Sequence, residues 1–179
     1  MNDREFLCEM LTADDAVAAV RGEIDRLVKI IPEIADMIGF EHRHPHHHLD
    51  VWEHTLLALS HAEGNLKVRV ALLLHDVGKP RVAKERDGVR HYKGHQTESA
   101  KIAKTRLGEL GFDEDFIGDV CEMINRHDLP LTIPYISENP RLAREIFKVQ
   151  KCDVLAHNPE FNQKRLDYIE MCEKIYRFG

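Results

Sequence analysis

The sequence predicts an all-α fold, a compact bundle of about seven helices gathered around one apolar segment. Three observations predict it. Apolar residues recur at three- and four-residue spacing through most of the chain, and Gly, Pro and Asn punctuate the stretches between. Only Asp87-Gly88, between two short runs, reads as a hairpin turn. Val70 to Leu74 is apolar on every side, as a helix buried at the centre of a protein is, before Gly78 and Pro80 stop it.

In chain order, Thr12 with Asp15 three residues later has the form of a capping box. Val17, Val20, Ile24, Leu27 and Ile31 follow at helical spacing, so a packing helix is expected from about 13 to 31. Pro32 restarts or kinks it, and Gly39 ends the next short piece. The segment Glu41 to Leu49, EHRHPHHHL, is too polar and Pro-interrupted for core. A solvated loop, an outer cluster of histidines (His42 to His48) and an adventitious metal binder all fit it; a loop at the mouth of a site is the favoured reading.

Asp50 opens a helix with Glu53 at the capping-box position and Gly64 as its stop. His54 sits one turn into it and His61 two turns later on the same face. Asn65 caps the central helix that ends at His75-Asp76, and the connection to Gly94 holds the hairpin. Loops of that length are often functional. His95 introduces a helix with Thr97 as its cap, the stripe Ile102, Ala103, Leu107 and Leu110, and Gly111 as its stop. Phe112-Asp113 starts another, whose inward face runs Ile117, Val120, Ile124 and then His127. After a loop containing Pro130 and Pro134, Asn139-Pro140 starts a helix facing inward with Leu142, Ile146, Val149 and then Asp153. Asn158-Pro159 begins a last amphipathic helix carrying Phe161, Leu166, Ile169, Cys172 and Ile175.

At 179 residues the chain suits one domain over residues 1–179, with a helical N-terminal extension of about 1–40. A net charge of −6 argues against a broad surface for nucleic acid or anionic membrane, while leaving room for a local basic phosphate site. Cys8, Cys121, Cys152 and Cys172 are scattered. The N-terminus lacks a basic region leading into an apolar run, and no stretch approaches membrane-spanning length. Reduced thiols, a cytoplasmic location and no membrane partner are the expectation.

The chemistry lies where the apolar stripes end. Separate helices deliver His54, His75-Asp76, His127 and Asp153 inward, and His95 begins another. Neighbouring residues at a helix end, about 100° apart, both reach a cation beyond the last turn, where the dipole favours positive charge. Imidazoles with carboxylates and no thiolates suit a divalent metal ion, one of Mn, Fe, Co, Ni, Zn or Mg, with room for a second. The alternative, several independent packing networks, buries many ionisable groups at a cost that no cation offsets. A second dipeptide, His127-Asp128, reads equally well as a solvated pair.

The segments DVWEHTLLAL with His54, LLLHDVGKP with His75 and Asp76, and KCDVLAHNP with Asp153 resemble the HD-domain metal-dependent phosphohydrolases. Their pattern is His, then His-Asp, then a distant Asp. GHQTESAKIAKTRL and VCEMINRH look like the HD domain attached to some bacterial tRNA nucleotidyltransferases, including the Gly-His that precedes a helix. The resemblance runs from about Ile31 to Pro159 and implies an HD-domain-like bundle with its metal site between central helices. It implies hydrolysis of a phosphoester, on nucleotides, cyclic phosphates or an RNA 3′ end, through a metal-activated water. His54, His75, Asp76 and Asp153 would hold one metal, and Asp76, His95 and His127 a second. Asp76, Lys79 and His95 are the expected catalytic residues. Lys79, just past the helix end, would bind the substrate phosphate, the other reading being a solvated lysine. With no nucleotidyltransferase head in these residues, CCA addition is not expected. A metal-stabilised module that binds nucleotides or RNA ends without turnover is the alternative.

Overall fold

The computed structural model describes residues 1–63 and 65–176. The helix stop expected at Gly64 lies outside the described residues. The elements run α1 (Asp3–Thr12), α2 (Ala16–Gly22), α3 (Ile24–Ile30), a 3-10 turn (Pro32–Asp36), α4 (Val51–Ser60) and α5 (Leu66–Leu74). After them come α6 (Lys79–Val82), the hairpin strands β1 (Lys84–Arg86) and β2 (Val89–His91), and α7 (His95–Glu109). The chain then forms α8 (Glu114–Arg126), α9 (Ile133–Glu138), α10 (Pro140–Leu155) and α11 (Pro159–Ile175). The all-α expectation holds. Among the described residues seven of these helices have nine or more residues, and the rest are short connectors.

α5 occupies the middle, packed against α1, α4, α7, α8 and α10. Its Val68 and Val70 to Leu74 are buried all round, so the segment with no polar face is the one with no solvent face. Asn65 caps it by accepting from the Lys67 N–H. Asp50 caps α4 through the Glu53 N–H at 2.8 Å, and Asp113 caps α8 through the Phe116 N–H. The hairpin turns at Asp87-Gly88, pairing Arg86 with Val89.

Several expectations need correcting. Thr12 does not start a helix. It ends α1, where its hydroxyl donates to the Cys8 carbonyl, and Asn2 with Glu5 forms the capping box that opens α1. The expected helix over 13–31 is two, broken at Glu23 after Gly22, a residue that loses more freedom in a helix than any other. Pro80 does not end the chain's helical path. It sits in the first turn of α6, where its missing N–H costs nothing. The Pro130–Pro134 loop contains α9, capped by Thr132. Thr97 is inside α7, whose N-cap is Gly94 at φ +84°. The Asn139 side chain donates to the Tyr135 carbonyl instead of capping α10. His61 is exposed at the end of α4. α11 buries Ile169 and Cys172, but Phe161 and Ile175 face solvent.

Candidate metal centre

Three local features aim side chains at one point. The Asp50 cap sets the start of α4, so that His54, one turn in, is fully buried. The apolar surface of α5 carries His75 and Asp76 to the centre, both without solvent exposure. Beyond them Gly78 lies against α7: a Cβ there would stand 2.6 Å from the Ser99 backbone nitrogen. The Gly78 N–H donates to Ser99 Oγ at 2.9 Å. This approach, with Gly94 turning the chain in a left-handed conformation, brings His95 over Asp76.

Asp76 is the hub. Its Oδ2 lies 3.3 Å from His75 Nε2, 3.6 Å from His54 Nε2 and 4.0 Å from His42 Nε2. Its Oδ1 lies 3.4 Å from His95 Nε2 and 3.8 Å from His127 Nε2. Lys79 Nζ is 2.7 Å from Oδ2, an ion contact not aligned as a hydrogen bond, and neither buried oxygen of Asp76 has a hydrogen-bond partner. Asp153 forms a second focus, with Oδ1 at 3.0 Å from His54 Nε2, 3.5 Å from His75 Nε2 and 3.4 Å from His157 Nε2.

The other ring nitrogen of each imidazole faces a backbone carbonyl. His42 Nδ1 meets Leu49 O, His54 Nδ1 meets Ala156 O, His75 Nδ1 meets Leu72 O, His95 Nδ1 meets Tyr92 O and His127 Nδ1 meets Ile124 O, at 2.7 to 3.2 Å. A carbonyl only accepts, so Nδ1 carries the hydrogen in all five. In a neutral ring that leaves the Nε2 lone pair directed at the carboxylates, the arrangement that orients histidine ligands of metals. His95 and His127 Nε2 stand 3.3 Å apart, and His54 and His75 Nε2 3.4 Å. Facing lone pairs at such distances repel unless a proton or cation lies between.

The charges agree with this. Burial pushes His42 down to about 2 and His127 down to about 4, and it lowers His54 and His95. These rings stay neutral. Burial opposes the charge on His75 too, but Asp76 and Asp153 overcome it and push its pKa up to about 10. Burial likewise opposes ionisation of Asp76 and Asp153. His75 and Lys79 hold Asp76, and His157, His54 and His75 hold Asp153, well below the usual carboxylate range. Ligand atoms of His54, His75 and Asp153 fall within 4.8 Å of one another, as do those of His75, Asp76 and His127. Ionised carboxylates beside the neutral rings of His42, His54, His95 and His127 are in the protonation state that metal ligation requires, while His75 carries a proton that a bound cation would displace. The donor set fits a divalent ion.

A family model described as the HD domain matches residues 46–156, well over half of the chain. The chain belongs to the HD-domain family. Two curated relatives are similar to it. The CC-adding tRNA nucleotidyltransferase of Thermus thermophilus is 33% identical over 133 residues, covering 69% of this chain and 30% of that protein. The A-adding tRNA nucleotidyltransferase of Deinococcus radiodurans is 35% identical over 92 residues, covering 48% of this chain and 21% of that protein. The HD chain thus spans less than a third of the length of either.

Within this HD domain, all six histidines and aspartates expected to ligate metal, His54, His75, Asp76, His95, His127 and Asp153, meet at one buried point. Lys79 is not the solvated lysine of the alternative reading. It is buried, with Nζ 3.0 Å from His42 Nε2 as well as beside Asp76, and it lines the cavity above the cluster. The polar segment 41–49 is a loop at the mouth, yet it sends His42 into the interior. His47, His157 and Asp128 are not among the ligands expected from sequence, although Asp128 stands in the second His-Asp pair. The histidine run pointed to the first, and the spacing of four from Asp153 on α10 was a usable signal for the second. A cavity of about 210 Å³ opens above the cluster, with Lys79, Arg90, His157 and Arg165 among its walls.

Proposed function

We propose that this HD domain is a metal-dependent phosphohydrolase that cleaves a phosphoester in a nucleotide, a cyclic phosphate or an RNA terminus. The observation that carries the reading is Asp76, buried and ionised among imidazole nitrogens with neither oxygen hydrogen-bonded. His54, His75, Asp76 and Asp153 hold one ion in this reading, and Asp76, His95 and His127 hold a second. When bound, the divalent cation supplies Lewis acidity, polarising a phosphoryl oxygen and making a water acidic enough to attack near neutral pH.

The chain's own residues do the rest. Carbonyls of Leu72, Tyr92, Ile124 and Ala156 hold the rings in place, so little reorganisation accompanies reaction. Lys79 is the buried ammonium at the foot of the cavity and neutralises charge on the phosphate. Arg90 and Arg165 line the approach and draw an anion in despite the chain's negative total. The names of both relatives place them on tRNA, which favours nucleotides and RNA ends among phosphate esters. Those names describe nucleotidyl transfer, and this favours one second reading, a metal-stabilised RNA-end-binding module without turnover.

The test is ion counting by mass spectrometry on tag-free protein, followed by a panel of mononucleotides, 2′,3′-cyclic nucleotides and phosphate-terminated oligoribonucleotides. The expected result is at least one ion per chain and turnover of a panel member. Protein that stays metal-free when offered Mn, Fe, Co, Ni, Zn and Mg overturns the reading. Full occupancy with binding of RNA ends and no turnover selects the module.

A further inference from the structure

Beyond the six inner residues, the histidine-rich loop is fastened to the end of α10. The Asn158 N–H donates to the His46 carbonyl at 2.9 Å, and Asn158 Nδ2 donates to the Pro45 carbonyl at 3.3 Å. These bonds hold the His47 ring 4.6 Å from that of His157 and 4.8 Å from that of His54, centroid to centroid. Ring nitrogens of His47, His54 and His157 lie within 4.8 Å of one another.

Packing alone accounts for part of this, since His47 stacks on His42 at 3.8 Å with the rings 4° from parallel. Stacking does not satisfy nitrogens. His47 Nδ1 is buried without a hydrogen-bond partner, as the Asp76 oxygens are, and such groups are costly unless something completes them. His157 Nε2 stands 3.4 Å from Asp153 Oδ1, and both His47 and His157 line the cavity above the inner cluster.

We propose that His47 and His157 form an outer cation site at the mouth, sharing His54 with the inner site, because ligand atoms of the three lie within 4.8 Å of one another. His54 Nδ1 is taken by the Ala156 carbonyl, so Nε2 is the atom it offers, and Asp153 stands beside both His54 Nε2 and His157 Nε2. Three imidazoles select Zn²⁺, Co²⁺ or Ni²⁺ over Mg²⁺. An ion there adds positive charge to a cavity wall that already carries Lys79, Arg90 and Arg165.

Equilibrium dialysis of the full chain against Zn²⁺ and Co²⁺ tests this, with ion counting by mass spectrometry and the visible absorption of bound Co²⁺ as readouts. The proteins are wild type, His47→Gln, His157→Gln and, as control, His48→Gln on the exposed part of the same loop. Wild type and the control are expected to bind one more ion than either of the other variants and to show a Co²⁺ absorption component that those variants lack. Equal counts in all four proteins overturn the proposal. Loss of every ion from either variant with an unchanged far-ultraviolet dichroism spectrum also overturns it, because the site is then not separate from the inner one. If His47→Gln fails to fold, the half-buried His157 carries the test. No arm reads turnover, so the result stands apart from that of the hydrolytic reading.

Discussion

Glu33 and Asp76 are both buried carboxylates held in their ionised form, and their neighbours differ in kind. Glu33, on the 3-10 turn, accepts from Arg106 Nε at 2.9 Å, from Arg106 Nη2 at 2.8 Å and from Arg81 Nη2 at 3.0 Å. Donors of fixed charge surround it, and it ties the 3-10 turn to α6 and α7. Asp76 is surrounded chiefly by imidazole nitrogens whose hydrogens point away to carbonyls, and its oxygens accept nothing. A carboxylate completed by guanidinium groups is structural. One that has a single ammonium beside it, Lys79, and whose oxygens accept no hydrogen bond from the imidazoles around it is arranged for a cation supplied from outside.

The sharpest way to break this comparison is the same isosteric change at both positions. Asp76→Asn is expected to lose ion binding and to reduce turnover by more than about 100-fold, since even residues that only support metal ligands cost 10–100-fold. Ion counts and single-turnover rates measure it, and an unaltered count would put Asp76 in the same class as Glu33. Next in size, His127→Ala is expected to retain one ion and lose about 10–100-fold in turnover. Calorimetric metal titration decides whether the second, weaker binding step has gone.

Glu33→Gln should leave the ion count unchanged and lower stability by about 1–3 kcal/mol, read as a shift in the urea midpoint, because the arginines lose a charged acceptor. Hydrogen bonding to Arg106 lowers the Glu33 pKa from its ordinary 4.5. The stability this supplies is therefore fully present above pH 4.5 and is lost as pH falls through the lowered folded value. The gap between wild type and Glu33→Gln should accordingly close in acid, and a gap that persists there would assign the effect to packing. Smallest of all, Arg21→Ala removes the contact to Glu53 between α2 and α4, where both side chains are exposed. It is expected to cost less than about 1 kcal/mol and to leave ion affinity unchanged.

Where the fold was legible, the cause was local. Asp50 and Asn65 cap helices through amides two or three residues away, and Gly111 and Asn158 mark boundaries in the same way. Glu23 and Gly22 show the limit, since a continuous apolar spacing gave no sign that the helix over 13–31 divides. Phe161 continues the apolar stripe of α11 and still faces solvent, stacked only on the His46 ring among the aromatic contacts of the described residues. Periodicity tells which residues share a face, and a neighbour decides whether that face is covered.

By itself the sequence determined the all-α fold, the central helix and the convergence of His54, His75, Asp76, His95, His127 and Asp153. All but His95, which opens α7, end an apolar stripe or sit within one, and burial of the stripe carries the polar group inward. Tertiary structure alone decided that Lys79 meets His42, and that His47 lies against His157. Those contacts depend on the Glu41–Asp50 bridge and on Asn158 reaching back to Pro45 and His46. The partners lie up to 113 residues apart in segments without repeating pattern, so no spacing in the chain encodes them, and they form only once α4 and α10 have packed.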